Sequence, residues 1–125
     1  MWELTKYFEF EASHFLRNYV GDCANIHGHS YKVEVTFKGD KLDDRQILID
    51  FKDIKKIVKT NVLERCDHKH LNDLPEYKEV NPTAETMAQL FFSFIAGSID
   101  SNANYKLDSV AVWETSTSKC VYRED

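Results

Sequence analysis

Two stretches of this chain alternate strictly between apolar and polar side chains, and together they decide most of what it can become. Over residues 2–14, Trp2, Leu4, Phe8, Phe10 and Ala12 share one parity, while Glu3, Thr5, Glu9 and Glu11 share the other. Over residues 29–38, Tyr31, Val33, Val35 and Phe37 alternate with Ser30, Lys32, Glu34, Thr36 and Lys38. Successive side chains of a strand point to opposite faces, so each stretch reads as a half-buried strand, and the two as antiparallel partners. His14, His27 and His29 all fall on the apolar parity. An imidazole there needs a partner, because burying an unsatisfied polar group costs about 1–3 kcal/mol.

A shared metal ion supplies that partner. His27 and His29 are separated by one residue, so in a strand they project together, roughly 6–7 Å apart along the backbone. The glycine between them, Gly28, is expected to let the backbone bend or another group approach closely. His-x-His alone is a weak signal. With His14 on the same face it becomes a three-ligand set, and three imidazoles leave the fourth tetrahedral position of zinc open, the pattern of catalytic sites. Iron or nickel would accept the same donors.

Residues 15–26, with Asn18, Gly21, Asp22 and Asn25, read as a loop longer than a tight hairpin needs, which suggests a functional loop. Asp50 is a candidate N-cap for a helix over 51–65, where Phe51, Ile54, Ile57, Val58, Val62 and Leu63 recur at helical spacing. Lys52, Lys55, Lys56 and Lys59 fall on the other side and read as a solvated face. Thr83 caps a second helix with the stripe Ala84, Met87, Ala88, Phe91, Phe94, Ile95 and Ile99. Residues 107–114 and 119–122 form a closing strand pair around Thr115-Ser116-Thr117-Ser118. The order strand, strand, helix, helix, strand, strand predicts an α+β fold in one domain, 1–125, with two helices on one face of a four-stranded antiparallel sheet. The polar sheet face is either wet or lines a barrel closed by several copies, which would also remove exposed sheet edges.

Composition narrows the partners. The 125 residues carry a formal charge of -5, with no lysine and arginine cluster of the kind that grips a phosphate backbone or an anionic membrane, so neither nucleic acid nor membrane is expected. No signal-like N-terminus and no long apolar run occur, and the three cysteines show no paired spacing, which fits a reducing, cytoplasmic compartment.

Four further positions carry chemistry. Cys23 lies four residues from a candidate ligand in a polar loop, where a nearby cation would make its thiol a usable base; Cys66 and Cys120 read as packing residues. Asp67-His68 is either an ordinary helix-end pair or, beside a thiol and a metal, a proton relay in which the carboxylate orients the imidazole. Glu114 shares its parity with Val110 and Val112 and is either a surface carboxylate at a strand end or an inward anchor for a planar ligand offering two N–H donors. His70 is taken as structural.

Taken together, His14, Cys23-x3-His27-Gly-His29, Asp67-His68, Pro82-Thr83-Ala84-Glu85 and Glu114-Thr115 resemble the 6-pyruvoyltetrahydropterin synthase and 6-carboxytetrahydropterin synthase family across nearly the whole chain. The spacing of three residues between Cys23 and His27 is similar to that of the carboxy enzyme of deazapurine (queuosine) synthesis. The resemblance implies a tunnelling fold, with trimers closing a barrel and two trimers stacking into a hexamer. It implies that His14, His27 and His29 hold zinc, that Cys23 is the base with Asp67 and His68 completing its relay, and that Glu114 anchors a pterin ring beside Thr83, Glu85 and Thr115. The implied substrate is 7,8-dihydroneopterin triphosphate, and the implied products are 6-carboxy-5,6,7,8-tetrahydropterin, acetaldehyde and triphosphate. Two alternatives stand: a sibling enzyme making the pyruvoyl pterin or cleaving the side chain, and a non-catalytic protein that binds zinc and pterin.

Overall fold

In a computed structural model, which describes residues 1–124, the two alternating stretches form one long antiparallel pair, β1 (Trp2–His14) and β2 (His27–Gly39). Their register runs from Trp2 opposite Gly39 to His14 opposite His27, so the candidate ligand histidines stand at one end of the pair. β2 begins two residues earlier than its alternation indicates, which brings His27 into the strand.

The first helix, α1, covers residues 51–66. It starts as Phe51–Val58, widens into a π-helical turn over Lys59–Leu63 and finishes with Glu64–Cys66. Asp50 caps it, its carboxylate accepting the Lys52 N–H at 2.8 Å. The second helix, α2 (Ala84–Ala96), is capped by Thr83, whose hydroxyl accepts the Thr86 N–H at 3.1 Å. β4 (Lys106–Thr115) pairs with β2, and β5 (Ser118–Tyr122) pairs with β4, both antiparallel.

The sheet has five strands, not four. β3 (Lys69–His70) adds to the free edge of β1, parallel to it, giving the order β3-β1-β2-β4-β5. A two-residue strand carries no periodicity, so alternation could not reveal it. Its entry is made by a backbone reversal at His68, which sits at φ 61, a left-handed conformation uncommon outside glycine. The His68 N–H then donates to the Glu11 carbonyl at 2.6 Å, and the Glu11 N–H donates to the Asp67 carboxylate at 3.0 Å.

Both helices cover the inner sheet face. Ile54, Val58 and Val62 of α1, and Met87, Phe91 and Ile95 of α2, are buried against Phe8, Phe10, Tyr31, Val33, Val35, Phe37, Val110 and Val112. The Phe10 and Tyr31 rings stack at 4.9 Å between centroids. The outer face keeps its polar residues in pairs: Thr5 with Thr36 at 2.7 Å, Ser30 donating to Glu11 at 2.8 Å, and Trp113 Nε1 donating to Glu34 at 2.6 Å. Gly28 sits in regular strand opposite Ser13, and a side chain there would meet only the Ala12 carbonyl, at 3.5 Å, an ordinary contact. The expected bend is therefore absent. No helix among the described residues is long and apolar enough to cross a membrane.

Candidate active site

Strand register brings the three histidines together. The ligand atoms of His14, His27 and His29 all lie within 4.8 Å of one another. His14 ends β1, His27 opens β2 directly opposite it, and His29 is one pleat further along the same face. His14 is 1% exposed, under the start of α2, while the other two are half-buried.

Hydrogen bonds fix which nitrogen of two of the rings faces inward. His14 Nδ1 lies 2.7 Å from the Pro82 carbonyl, and His27 Nδ1 lies 2.7 Å from the Asn25 carbonyl. A carbonyl only accepts, so each Nδ1 carries the proton and each neutral Nε2 presents a lone pair. Those two Nε2 atoms are 3.0 Å apart. His29 Nε2 is buried in the same space with no hydrogen-bond partner. Burial holds His14 and His29 below the usual imidazole range, reinforced by the neighbouring imidazoles and opposed by the Glu114 carboxylate; for His14 the Pro82 bond opposes it as well.

Lone pairs facing one another across 3.0 Å repel unless a cation sits between them. This donor set of neutral imidazole nitrogens fits zinc, with its three-histidine catalytic pattern, and the orphaned His29 Nε2 is the atom such an ion would satisfy. Glu114 reaches the same place from the end of β4, its Oε1 3.4 Å from His14 Nε2 and 3.5 Å from His29 Nε2. For His14, whose Nδ1 proton is held by Pro82, the contact is of a carboxylate with a lone-pair nitrogen. Tyr31, fully buried, sets its hydroxyl 3.2 Å from His14 Nδ1, and burial raises its pKa well above the usual phenol range.

Glu114 and Thr115 also line a cleft of about 450 Å³ with Glu9, Ser30, Lys32, Trp113 and Ser116. That volume falls within the range of small-molecule sites. Of the remaining candidates, Thr83 spends its hydroxyl on capping α2, Glu85 is exposed in the first turn of that helix, and Thr115 is exposed at the strand end. None of the three shares a described hydrogen bond with Glu114 or the imidazoles.

The Cys23 thiol is half-buried and free, in the single 3-10 turn Asp22–Ala24. Asp67 and His68 lie elsewhere, at the β3 edge. Asp67 Oδ1 is 3.0 Å from His68 Nδ1, which leaves His68 Nε2 turned outward, on a ring 79% exposed. Among the described residues no hydrogen bond joins Cys23 to either of them. Cys66 is buried, donates to the Val62 carbonyl at 3.1 Å, and has its pKa pushed up to about 12 by burial; Cys120 is half-buried. His70 bonds Ser13 Oγ at 2.9 Å and stacks on Phe15, a structural setting.

Two asparagines went unread in the sequence. Asn72 accepts the Phe15 N–H at 2.9 Å and donates to the Phe15 carbonyl at 3.1 Å. Asn81 does the same for Arg17, at 2.7 and 3.0 Å. Each side-chain amide imitates a strand neighbour and pins the start of the loop that carries Cys23. Asparagine in a loop is ordinarily read as a turn former, and its distance from residues 15 and 17 in the chain left no signal. The Pro82 and Asn25 carbonyls were equally silent, whereas Tyr31 shares the histidine parity and was legible.

A family model described as 6-pyruvoyl tetrahydropterin synthase matches residues 3–125. The chain belongs to that family. Among its relatives, the 6-carboxy-5,6,7,8-tetrahydropterin synthase of Bacillus subtilis is 37% identical over 97% of this chain and 84% of its own length. The 6-pyruvoyl tetrahydrobiopterin synthase of Dictyostelium discoideum is 35% identical over 82% of this chain and 74% of its own. The solved structure of Caenorhabditis elegans 6-pyruvoyl tetrahydropterin synthase superposes with a TM-score of 0.88 at 25% identity, covering 98% of this chain and 95% of that one. The fold is thus that of the family's known structures, with β3 completing the sheet.

Proposed function

We propose that this protein is a zinc-dependent 6-carboxy-5,6,7,8-tetrahydropterin synthase acting on 7,8-dihydroneopterin triphosphate, as in 7-deazapurine synthesis. The observation that carries the reading is the convergence of the His14, His27 and His29 ligand atoms, two of them proton-free lone pairs held by carbonyls on the far side of each ring. Similarity to curated synthases of that name supports the choice of reaction. Zinc bound there supplies a Lewis acid for the substrate's side-chain hydroxyls, easing loss of the adjacent protons.

The chain's own groups do the rest. Glu114 pairs with adjacent N–H groups of the pterin ring, a bidentate contact that fixes the ring's orientation. Cys23 takes a proton from the side chain as base. His68, with Asp67 holding its Nδ1, presents Nε2 to carry a proton on the opposite side. One water is taken up when the side chain is cut, because the carboxylate product needs a second oxygen; triphosphate and acetaldehyde leave.

Base and relay are separate within one chain, and His68 stands outward from a sheet edge. We infer that copies associate so that the relay of one faces the thiol of another, in a homo-oligomer of trimeric build that also covers the outer sheet face. Incubating zinc-loaded protein with dihydroneopterin triphosphate and following products by mass spectrometry tests the activity. Acetaldehyde with 6-carboxytetrahydropterin is expected. A pyruvoyl pterin instead would place the chain with its Dictyostelium relative, and an inert protein that still binds zinc and pterin would make it a binding protein only.

A further inference from the structure

We propose that Glu114 is the fourth ligand of the metal in the substrate-free protein, so that the carboxylate expected to receive the pterin ring also keeps the metal closed until the ring arrives. The geometry is specific. Two donors on a tetrahedral zinc, each about 2.0–2.1 Å from the ion, lie about 3.3–3.4 Å apart. Glu114 Oε1 is 3.4 Å from His14 Nε2 and 3.5 Å from His29 Nε2, which is that spacing on two sides at once. His14 presents a lone pair to this carboxylate, because its Nδ1 proton is held by the Pro82 carbonyl, and a shared metal ion turns that approach into an attraction. No arginine or lysine pairs with Glu114 among the described residues; the tight cluster itself is the three imidazoles, and Glu114 approaches it on the His14 and His29 sides.

The position of Glu114 gives the contact a purpose. Its backbone lies one residue before the end of β4, beside the cleft that Trp113, Lys32 and Thr115 line, so its side chain stands between the cluster and that cleft. A planar ligand offering two N–H donors draws the carboxylate away from the imidazoles, and the position it leaves is then free for the same ligand's hydroxyls. Recognition of the ring and opening of the metal thus become one event, and a hydroxylated molecule without the ring finds the metal closed. This second step rests on the pterin reading above; the ligation itself does not.

Zinc affinity by chelator competition, measured on the wild type, Glu114→Gln and His27→Ala, tests the ligation. Glu114→Gln is expected to bind zinc more than about 100-fold more weakly, beyond the 10–100-fold that losing an outer hydrogen-bond partner costs, and a smaller loss would overturn the proposal. A second readout uses the cobalt-substituted protein, whose visible spectrum follows the ligand set. Azide is expected to leave the wild-type spectrum unchanged at concentrations that shift the Glu114→Gln spectrum, and a wild-type response as strong as the variant's would overturn it. A shift of the wild-type cobalt spectrum on adding azide overturns the proposal by itself, so a variant that fails to fold does not shield the idea. His27→Ala holding zinc like the wild type would sink the three-imidazole site and the enzyme reading with it. Failure of the turnover assay with both metal results intact would sink the pterin reading and leave the ligation standing.

Discussion

The two halves of the proposed chemistry are built in opposite ways. The imidazole cluster is finished within one chain: β-pairing sets His14 against His27 and His29, and two carbonyls orient the rings. The thiol and its relay are not. Cys23 rides on a loop held by asparagine amides, while Asp67 and His68 occupy a strained turn at the opposite side of β1, with the His68 ring facing out. Strand register places side chains to within a fraction of an ångström at little entropic cost, so it suits a metal that demands fixed geometry. A proton relay tolerates assembly from separate pieces, and an edge turn is where a second copy can reach it.

That contrast can be broken most sharply at the cluster. His27→Ala should lose stoichiometric zinc and all measurable turnover, well beyond the 10–100-fold that disturbing a ligand's hydrogen-bond partner costs; metal analysis after dialysis decides it. Cys23→Ala, by contrast, should keep zinc and lose on the order of 10²–10⁴ in rate. If it turned over normally the base would be misassigned.

The division between copies makes its own prediction. Cys23→Ala and His68→Ala proteins, each inactive, should regain activity when unfolded together and refolded as mixed oligomers, since some sites then join an intact thiol to an intact relay. Kinetics on the mixture that match the average of the two parents would put both groups in one chain.

Proton competition for the metal should be displaced to acid. Burial lowers the pKa values of His14 and His29 from 6.5, so the neutral, ligating forms persist below that pH. For these two ligands proton competition should set in below 6.5, as the pH drops through the lowered values. Chelator competition across pH measures this, and a steep loss beginning above pH 7 would contradict it. The smallest effect belongs to the loop tether: Asn72→Ala strips Phe15 of two bonds and should cost about 1–3 kcal/mol in urea unfolding, against no change if the loop holds itself.

Much of this was legible from residue order. Alternation marked β1 and β2, parity put three histidines and Tyr31 on one face, and Asp50 and Thr83 announced their helices by capping. Parity with Val110 and Val112 left Glu114 either inward or at the surface, and its approach to the imidazoles was not legible, because β4 meets β2 from far along the chain. The Asn72 and Asn81 tethers and the edge strand β3 were invisible for the same reason: a two-residue strand has no period, and a side-chain amide that copies a backbone has no motif.

Residue order settles what is local and periodic: which residues face inward, where helices begin, and which imidazoles share a side. Such properties depend on near neighbours and on a fixed repeat along the chain. Tertiary structure alone decided which ring nitrogens meet, that Glu114 stands 3.4 Å from one of them, and that the relay looks outward from an edge. Those depend on contacts between distant segments, whose geometry is set by packing the whole core at once.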